Sequence, residues 1–267
     1  MAGRRQKVLV LGGTTEARRL AEALAVAPEV DAVLSYAGRT ESPLAVPVPW
    51  RVGGFGGVPG LIDYLRAERI DRVVDATHPF AAQMSANAVA ACAAAGVPLV
   101  ALERAPWRPA PGDRWIEVDS LEDAVAAVGD APRRVFLGIG RLHLDAFAAR
   151  PQHHYLVRLV DAPRDALPLP NVTVVVARGP FDVAGDRALM TEHGSEMVVS
   201  KNAGGTAAVA KIIAARDLGL PVVMVRRPDI PARPSVQTVA AVTAWLVGDT
   251  APEDGHDDAS GGAERGV

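Results

Sequence analysis

Short apolar runs alternate with longer alanine-rich stretches along most of the chain. Buried parallel strands are continuously apolar, whereas the helices that connect them carry apolar residues at helical spacing, as Val209, Ile212 and Ile213 do. The alternation therefore predicts an α/β protein with parallel sheets. The predicted strands span residues 8–11, 32–36, 72–76, 97–102, 115–118, 134–137, 154–160, 172–177, 196–200 and 221–225. The clearest predicted helices span residues 16–26, 58–68, 81–95, 121–128, 205–218 and 236–247.

A stretch with three prolines, residues 104–112, divides this pattern into two halves of similar style. We therefore predict two α/β units, residues 1–112 and residues 113–248. Paired units of this kind bind ligands in the cleft between them, at the carboxyl ends of their strands. Residues 249–267 carry six acidic side chains and one arginine, with too little apolar content to fold, and are predicted to form a disordered acidic tail.

Composition and charge narrow the class of protein. Hydrophobic residues make up 49% and charged residues 22% of the chain, which is ordinary for a globular protein. Residues 1–248 have a net charge of +2, from 27 basic and 25 acidic side chains, which argues against nucleic-acid binding by bulk charge. The single cysteine, Cys92, excludes a disulfide framework. His153 and His154 have no acid or cysteine at ligand spacing, so no metal site is predicted.

The sequence shows no signal peptide and no membrane-spanning segment. Its longest weakly charged stretch, residues 76–102, is interrupted by polar residues and a Gly-Val-Pro turn. We therefore expect a cytoplasmic protein that does not enter a membrane.

The turn between the first strand and the first helix is a candidate phosphate site. It consists of Gly12, Gly13, Thr14, Thr15 and Glu16. Glycine lets the backbone approach a phosphate, and the helix N-terminus offers free N–H groups and the positive end of its dipole. Thr14 stands where the dinucleotide fingerprint has its second glycine, so a purely structural turn is the alternative.

The end of the second strand indicates which nucleotide would bind. NAD-binding units usually place an acidic residue there, which accepts a hydrogen bond from the ribose 2′-hydroxyl. This chain has Ser35, Gly38, Arg39 and Thr40 in that region instead. A guanidinium group can bind a 2′-phosphate with two hydrogen bonds, which favours NADPH over NADH. The alternative is that Arg39 is a solvated loop residue.

Two loops of the first unit combine glycine or histidine with a strand end. The segment 51–57 has four glycines in five positions, so it is either a flexible spacer or a backbone surface that lies against a ligand. The segment 75–81 contains His78, which could orient a nicotinamide or transfer a proton. The alternative is that His78 is a structural residue.

Basic residues follow strands of the second unit. Lys201, in the glycine-rich turn 200–206, could contact a carboxylate or stabilise negative charge, or it could be an exposed lysine at a helix start. Arg178, Arg226 and Arg227 also lie at strand ends, and clusters of this kind would suit a polyanionic substrate. The sequence lacks the Tyr-x-x-x-Lys pair of short-chain dehydrogenases, the phosphate-binding loop of nucleotide triphosphatases and the hydrolase nucleophile elbow.

Taken in order, these motifs resemble those of the precorrin-6A reductase family. The resembling segments are residues 11–18, 35–40, 53–57, 75–80, 200–205 and 226–228, within a match that covers about residues 6–247. The resemblance implies two Rossmann-like or flavodoxin-like domains with parallel sheets around a central cleft. It implies an NADPH-dependent reductase of cobalamin (vitamin B12) biosynthesis that converts precorrin-6A, with or without cobalt, to precorrin-6B. The implied partners are the polycarboxylate tetrapyrrole and, transiently, neighbouring pathway enzymes.

The resemblance also implies roles for individual residues. The first domain would bind NADPH, and the second would contribute to substrate binding. The expected cofactor-binding residues are Gly12, Gly13, Thr14, Thr15, Glu16, Ser35, Gly38, Arg39, Thr40, Gly54, Thr77, His78 and Pro79. The expected substrate-binding residues are Arg18, Ser200, Lys201, Asn202, Gly204 and Gly205. Lys201 and His78 are the catalytic candidates, because reduction also requires a proton, which solvent could supply equally well.

Two other functions fit part of the pattern. A non-catalytic redox sensor that binds NADPH would account for the first two motifs but gives no reason for the residues around Lys201. A two-domain transferase that uses a nucleotide sugar or S-adenosylmethionine would not need Arg39.

Overall fold

Twelve strands and seven α-helices are formed by the residues that the structure, a computed structural model, describes, which are 4–37 and 45–248. The strands are β1 (Gln6–Leu11), β2 (Val30–Tyr36), β3 (Trp50–Val52), β4 (Arg72–Asp75), β5 (Leu99–Leu102), β6 (Arg114–Val118), β7 (Arg134–Gly138), β8 (His154–Leu159), β9 (Val172–Val176), β10 (Met197–Lys201), β11 (Pro221–Val225) and β12 (Ser235–Val236). The helices are α1 (Thr15–Ala25), α2 (Gly57–Ala67), α3 (Ala82–Ala95), α4 (Leu121–Val128), α5 (Val183–His193), α6 (Ala210–Asp217) and α7 (Val239–Val247), with a 3₁₀ helix at Arg141–Ala149. None of the described helices is long and apolar enough to cross a membrane.

The first sheet is parallel, with the strand order β3-β2-β1-β4-β5-β12. Alternate residues of β1 serve two cores: Val8 packs in the layer that contains α1 and α7, and Leu9 packs in the layer that contains α2 and α3. Because both faces are covered by helices, residues 8–11 of this strand are continuously apolar, which is the pattern that predicted it.

The second sheet repeats this arrangement. Its parallel strands have the order β9-β8-β7-β10-β11-β6, with α4 and the 3₁₀ helix on one face and α5 and α6 on the other. In both sheets the order in which successive strands are added reverses beside a central strand, β1 or β7. Ligands of doubly wound folds bind at that point, outside the carboxyl ends of the strands. The predicted fold class, two α/β domains with parallel sheets, is confirmed.

The chain returns to the first unit for the sixth strand of the first sheet. The second sheet is built from the consecutive strands β6 to β11, whereas β12 follows the second unit along the chain but pairs with β5 of the first sheet. Val242, Trp245 and Leu246 of α7 pack in the first core beside α1. The division predicted from the sequence, with residues 113–248 in one unit, therefore differs from the structure after β11. The predicted acidic tail lies outside the described residues.

Most element bounds lie close to the predicted ones, and the exceptions have local causes. The strand β3 and the 3₁₀ helix were not predicted, because three residues and a 3₁₀ turn leave little periodic signal. The helix predicted over residues 205–218 begins at Ala210, because Gly204 and Gly205 both have φ of +68°. The helix predicted over residues 236–247 begins at Val239, because β12 occupies its first position.

Candidate active site

A first cavity of about 360 Å³ lies at the carboxyl ends of the strands of the first sheet. The predicted cofactor-binding residues that line it are Gly12, Gly13, Ser35, Gly54, Thr77 and His78. It is bounded on the other side by the first turn of α3, through Gln83, Met84 and Asn87. This is where a doubly wound sheet binds a nucleotide.

The Gly12-Gly13 turn brings the backbone close to this cavity. A Cβ atom at Gly12 would lie 2.6 Å from Leu34 Cδ1, so a larger residue would require the Leu34 side chain to shift on β2. Gly13 has φ of +121° and faces open space, which leaves the start of α1 accessible. The side chain of Thr14 is used for structure: its hydroxyl accepts a hydrogen bond from Ala17 N (3.0 Å) and donates one to Ala76 O (2.8 Å).

Other residues predicted to bind the cofactor are placed differently. Glu16 forms an ion pair with Arg104, in the segment that leads to the second unit. Thr15 and Pro79 are not among the residues that line the first cavity. The predicted 2′-phosphate residues Gly38, Arg39 and Thr40 lie outside the described residues.

Arg51 organises the glycine-rich loop and was not singled out from the sequence. Its guanidinium group donates to Ser35 Oγ (2.8 Å), Gly53 O (3.0 Å) and Gly54 O (3.2 Å). The same group lies 4.1 Å from the centre of the Phe55 ring. A loop with four glycines is therefore held in one shape against the cavity, and the signal in the sequence was the charged residue just before it.

His78 is held beside Thr77 in the loop after β4. Thr77 donates its hydroxyl and its backbone N–H to Asp75 Oδ1, at 2.7 and 3.1 Å. Phe80 N donates to His78 Nδ1 at 3.2 Å, which leaves Nε2 to carry the ring proton. Burial, together with the positive charges of Lys201, Arg104, Arg227 and Lys211, lowers the pKa of His78 to about 3. The ring is therefore neutral at neutral pH, and the catalytic role predicted for His78 stays a prediction.

A second cavity, of about 370 Å³, lies between the two units. The first unit contributes Gly13, His78 and Phe80, and the second contributes residues 139–143 after β7, residues 158–162 at the end of β8, and Lys201. Gly13 and His78 line both cavities, so the two spaces adjoin there. A ligand in the first cavity can meet a second ligand in this cleft at that junction.

Basic side chains from the second unit line the cleft. They are Arg141, His143, Arg158 and Lys201, alongside Asp161. Arg158 is largely buried, forms an ion pair with Asp186, and lies 3.5 Å from the centre of the Phe181 ring. The sequence analysis missed Arg141 and Arg158. A charged residue inside the apolar run 154–160 was the signal for Arg158.

Lys201 extends from the end of β10 across the cleft. Its Nζ lies 5.2 Å from the ring centre of Phe80, which belongs to the first unit. Behind it, Lys211 is buried with its Nζ donating to Ala208 O at 2.8 Å, and burial lowers the pKa of Lys211 to about 7. Lys211 was also missed, because a lysine within a helical pattern does not by itself indicate burial.

The rest of the predicted substrate turn contacts protein. Asn202 Oδ1 accepts from Trp107 N at 2.8 Å, and Asn202 Nδ2 donates to Trp107 O at 2.9 Å. A Cβ at Gly204 would lie 2.2 Å from Ala105 O, and one at Gly205 would lie 2.5 Å from Arg104 Cδ. These residues pack on the segment that joins the units, and the substrate contacts predicted for Asn202, Gly204 and Gly205 stay predictions.

The remaining predicted residues lie apart from the cleft lining. Ser200 is fully buried and donates its hydroxyl to Lys201 O at 3.2 Å. Arg18 forms an ion pair with Glu22 on α1, and its charge acts on Tyr36, which lines the first cavity. Arg18 therefore lies on the side of the first cavity and not in the cleft.

Of the basic residues predicted at strand ends, Arg178 and Arg226 form ion pairs at the surface, with Asp161 (3.4 Å) and Asp119 (2.7 Å). Arg227 is partly buried between the units. Within residues 4–37 and 45–248, no three or more His, Cys, Asp or Glu side chains are grouped so that they could hold a metal ion.

Comparison with known proteins gives one consistent result. The family model described as precorrin-6x reductase CbiJ/CobK matches residues 7–247. The precorrin-6A reductase of Rhodobacter capsulatus is 60% identical over 240 residues, which cover 90% of this chain and 95% of that protein. The precorrin-6A reductase of Rhodococcus erythropolis is 48% identical, over 90% of this chain and 97% of that protein.

A solved structure agrees with these sequence comparisons. It is described as CobK precorrin-6A reductase, has a TM-score of 0.86 and is 58% identical, covering 91% of this chain and 96% of that one. The family resemblance predicted from the motifs is confirmed.

Proposed function

The chain belongs to the precorrin-6x reductase family, and from that premise we propose what it reduces and with which cofactor. It reduces a double bond of the precorrin-6A macrocycle to give precorrin-6B in cobalamin biosynthesis, and NADPH is the reductant. The observation that supports this most directly is the junction of the two cavities at Gly13 and His78. A reductase needs such a junction, because the cofactor and the acceptor must meet at one point.

The first cavity suits a dinucleotide. The open space at Gly13, Gly53 and Gly54, where a Cβ would meet nothing within 4 Å, forms a cradle of backbone. Gly12 and Gly13 would hold the pyrophosphate at the N-terminus of α1, and Ser35 would lie at the ribose. The preference for NADPH rests on Arg39, whose guanidinium group would bind the 2′-phosphate. When bound, a reduced nicotinamide supplies the hydride.

The cleft suits a polycarboxylate macrocycle. Arg141, Arg158 and Lys201 would bind the carboxylates of its side chains with charge-assisted hydrogen bonds. Bound in this way, the macrocycle would lie against His78, whose neutral ring adds no charge beside the reacting atoms. Neither a redox sensor nor a nucleotide-sugar or S-adenosylmethionine transferase gives a reason for this basic cleft beside the cofactor cavity.

Lys201 is the proposed proton donor. Its ammonium Nζ carries a transferable proton and lies near Phe80, which lines the same cleft as His78. Because His78 is neutral, its role would be to position the ligands at the junction through the Nε2–H group. The cytoplasmic location and the transient contact with neighbouring pathway enzymes stay predictions.

The test is an anaerobic assay with NADPH and enzymatically prepared precorrin-6A, with NADH as the cofactor control. We expect matched loss of nicotinamide absorbance and a shift of the tetrapyrrole spectrum. The cobalt-containing substrate is the second arm of the assay. NADPH binding without reduction of either substrate would contradict the proposed function and favour a sensor.

Two variants separate the proposed roles. Lys201→Ala should lower kcat strongly while the Kd for NADPH is kept, whereas unchanged kinetics would remove Lys201 from both substrate binding and proton transfer. Arg39→Ala should weaken the binding of NADPH far more than that of NADH, whereas equal losses would remove Arg39 from the 2′-phosphate site.

A further inference from the structure

Three carboxylates and three guanidinium groups meet where the chain passes between the units. They belong to Glu16, Asp75, Glu103, Arg104, Arg227 and Arg233, and we call them the crossover network. The two crossover segments run from β5 to β6 and from β11 to β12. The network balances three negative charges with three positive ones in a partly buried place, where an unpaired charge is costly.

Glu103 joins the two crossover segments. It lies directly after β5, and its Oε1 accepts from Arg227 Nη1 at 2.9 Å. Its Oε2 accepts from Arg233 Nη2 at 3.3 Å. Both arginines belong to the second crossover, so one carboxylate on the first crossover holds two points of the other.

One of these contacts leads to the cofactor side. Arg233 Nε lies 3.6 Å from Asp75 Oδ2, and the exposed fractions of the two side chains are 10% and 1%. Asp75 holds Thr77 through its other oxygen. Neither Arg233 Nε nor Asp75 Oδ2 has a hydrogen-bond partner among the described residues. Arg233 therefore donates a hydrogen bond to the carboxylate of Glu103 and only an ion-pair contact joins it to Asp75.

The other contact leads to the substrate side. Arg227 donates from Nε to Asn202 O at 3.1 Å and from Nη2 to Arg104 O at 2.8 Å. Asn202 follows Lys201 directly. A Cβ at Gly204 would lie 2.4 Å from Arg227 Nη2, which shows how closely this loop packs on the arginine.

We propose that Glu103 is a positioning residue that fixes the Thr77–His78 loop and the Lys201 loop relative to each other. The first loop lines both cavities and the second contributes Lys201 to the cleft, so their separation sets the distance between cofactor and acceptor. This inference rests on the proposed function for its catalytic consequence. The claim that Glu103 fixes the two loops relative to each other does not depend on that function.

Loss of the Glu103 charge should change the position of the two loops relative to each other and leave the structure within each loop intact. Without the Glu103 charge, Arg227 and Arg233 lose a shared anion and move toward other acceptors or solvent. The bonds inside each loop remain, since Thr77 keeps Asp75 and Asn202 keeps Trp107. Each ligand can therefore still bind, while the geometry between them is lost. A misplacement of about 1 Å at a reacting centre lowers the rate by up to about 100-fold.

The test compares Glu103→Gln with a matched surface variant, Asp119→Asn. Asp119 is exposed and pairs with Arg226, the direct neighbour of Arg227, so its loss removes a similar ion pair outside the network. We would measure the Kd for NADPH by fluorescence titration, and kcat with NADPH and with NADPH deuterated at both C4 positions. Amide hydrogen exchange of the ligand-free protein would report on the two loops.

For Glu103→Gln we expect a Kd for NADPH within about twofold of the wild-type value, but a kcat at least about 10-fold lower, as expected of misplaced reactants. The deuterium isotope effect on kcat should rise, because hydride transfer becomes slower than the other steps. Exchange should increase in residues 77–80 and 202–205 together. Asp119→Asn should match the wild type in every measurement.

A lower kcat with an unchanged isotope effect would overturn the proposal, because it would show that a smaller fraction of the protein is active and not that hydride transfer is slower. Amide hydrogen exchange that is unchanged in either loop would also overturn the proposal, and this result does not depend on which substrate the protein takes. If Glu103→Gln does not fold, Arg233→Lys keeps the charge while losing the Nη2 contact, and it should show the same changes to a smaller extent. A wild-type protein that does not reduce precorrin-6A would instead refute the proposed function, and the exchange comparison would still decide the role of Glu103.

Discussion

Burial controls the charge of histidines in both units. Desolvation is the largest cause that lowers the pKa of His78 to about 3 and of His193 to about 4, and the positive charges of Lys201 and Arg134 act in the same direction. In the unfolded chain, histidine takes up a proton near pH 6.5. Between these pH values the unfolded chain therefore binds protons that the folded protein does not.

This difference predicts that the protein loses stability in acid. Because protons favour the unfolded state, the free energy of unfolding should fall as the pH is lowered from about 6.5 toward about 4. His193→Asn keeps an acceptor or donor near Ser195 Oγ, which lies 2.9 Å from His193 Nδ1, and it removes this titration. Urea unfolding at several pH values should show a shallower pH dependence for His193→Asn than for the wild type. Identical slopes would contradict the assignment.

At the scale of the element, two glycine-rich connections have different purposes. Gly13, before α1, faces the open first cavity, whereas Gly204, before α6, packs against Ala105 O. Both have positive φ, and both join a parallel strand to a helix. The sequence shows the same signal in both places, because the partner of the second turn lies about 100 residues earlier in the chain. The packing of the second turn therefore could not be predicted from the sequence, and its substrate contacts stay predictions.

The glycine loop before α2 allows a matched test of packing against ligand space. A Cβ at Gly60 would lie 1.8 Å from Phe55 O, so Gly60→Ala should lower the free energy of unfolding by about 1–3 kcal/mol, as overpacking does. A Cβ at Gly54 would meet nothing within 4 Å, but Gly54 lines the first cavity. Gly54→Ala should therefore change stability by less than about 0.5 kcal/mol while raising the Kd for NADPH.

Denaturant unfolding and NADPH titration of both variants check this prediction. If Gly54→Ala bound NADPH as tightly as the wild type, the first cavity would not be the cofactor site. If Gly60→Ala were as stable as the wild type, the loop would be able to move away from α2.

The elements that could be predicted are those whose neighbours cover both faces. β1, β4 and β11 contain continuously apolar stretches, at residues 8–11, 73–74 and 221–225, because helices lie on each side, and the pattern identifies the strands within one or two residues. β3 and β12 have three and two residues at the edges of a sheet. Their pairing is decided by the neighbouring strand, so no pattern in their own residues reports it.

At the scale of the whole molecule, the sequence predicted two units and a cleft but not how the chain is shared between them. Composition and periodicity report what each segment is, whereas the sheet that a segment joins depends on contacts with distant residues. The same limit applies to the cleft. Lys201 was predicted from its strand end, but its proximity to Phe80 and the crossover network depend on how the two units pack.

The return of β12 to the first sheet predicts the effect of a truncation. A chain that ends after Pro234 lacks β12 and α7 and loses Val242, Trp245 and Leu246 from the first core. Burial of each such side chain stabilises the fold by about 1.5–3 kcal/mol, and a domain has only about 5–15 kcal/mol in total. NADPH binding should therefore be lost, although the lining of the first cavity is intact in sequence. A chain that ends after Gly248 is the matched control and should bind NADPH normally.

Calorimetric titration with NADPH would compare the two truncated chains. Binding by the shorter chain at wild-type affinity would show that the first unit is complete without its sixth strand.

The late position of β12 and α7 in the chain also has a consequence for synthesis on the ribosome. The residues that close the first sheet, Ser235–Val236, and the helix that seals its core are among the last described residues to be translated. While the second unit is being synthesised, the edge of the first sheet at β5 and the face of the first core that α7 covers therefore stay exposed. The first unit is therefore begun first and completed last, so a chain that stalls early lacks part of the sheet whose strand ends form the first cavity.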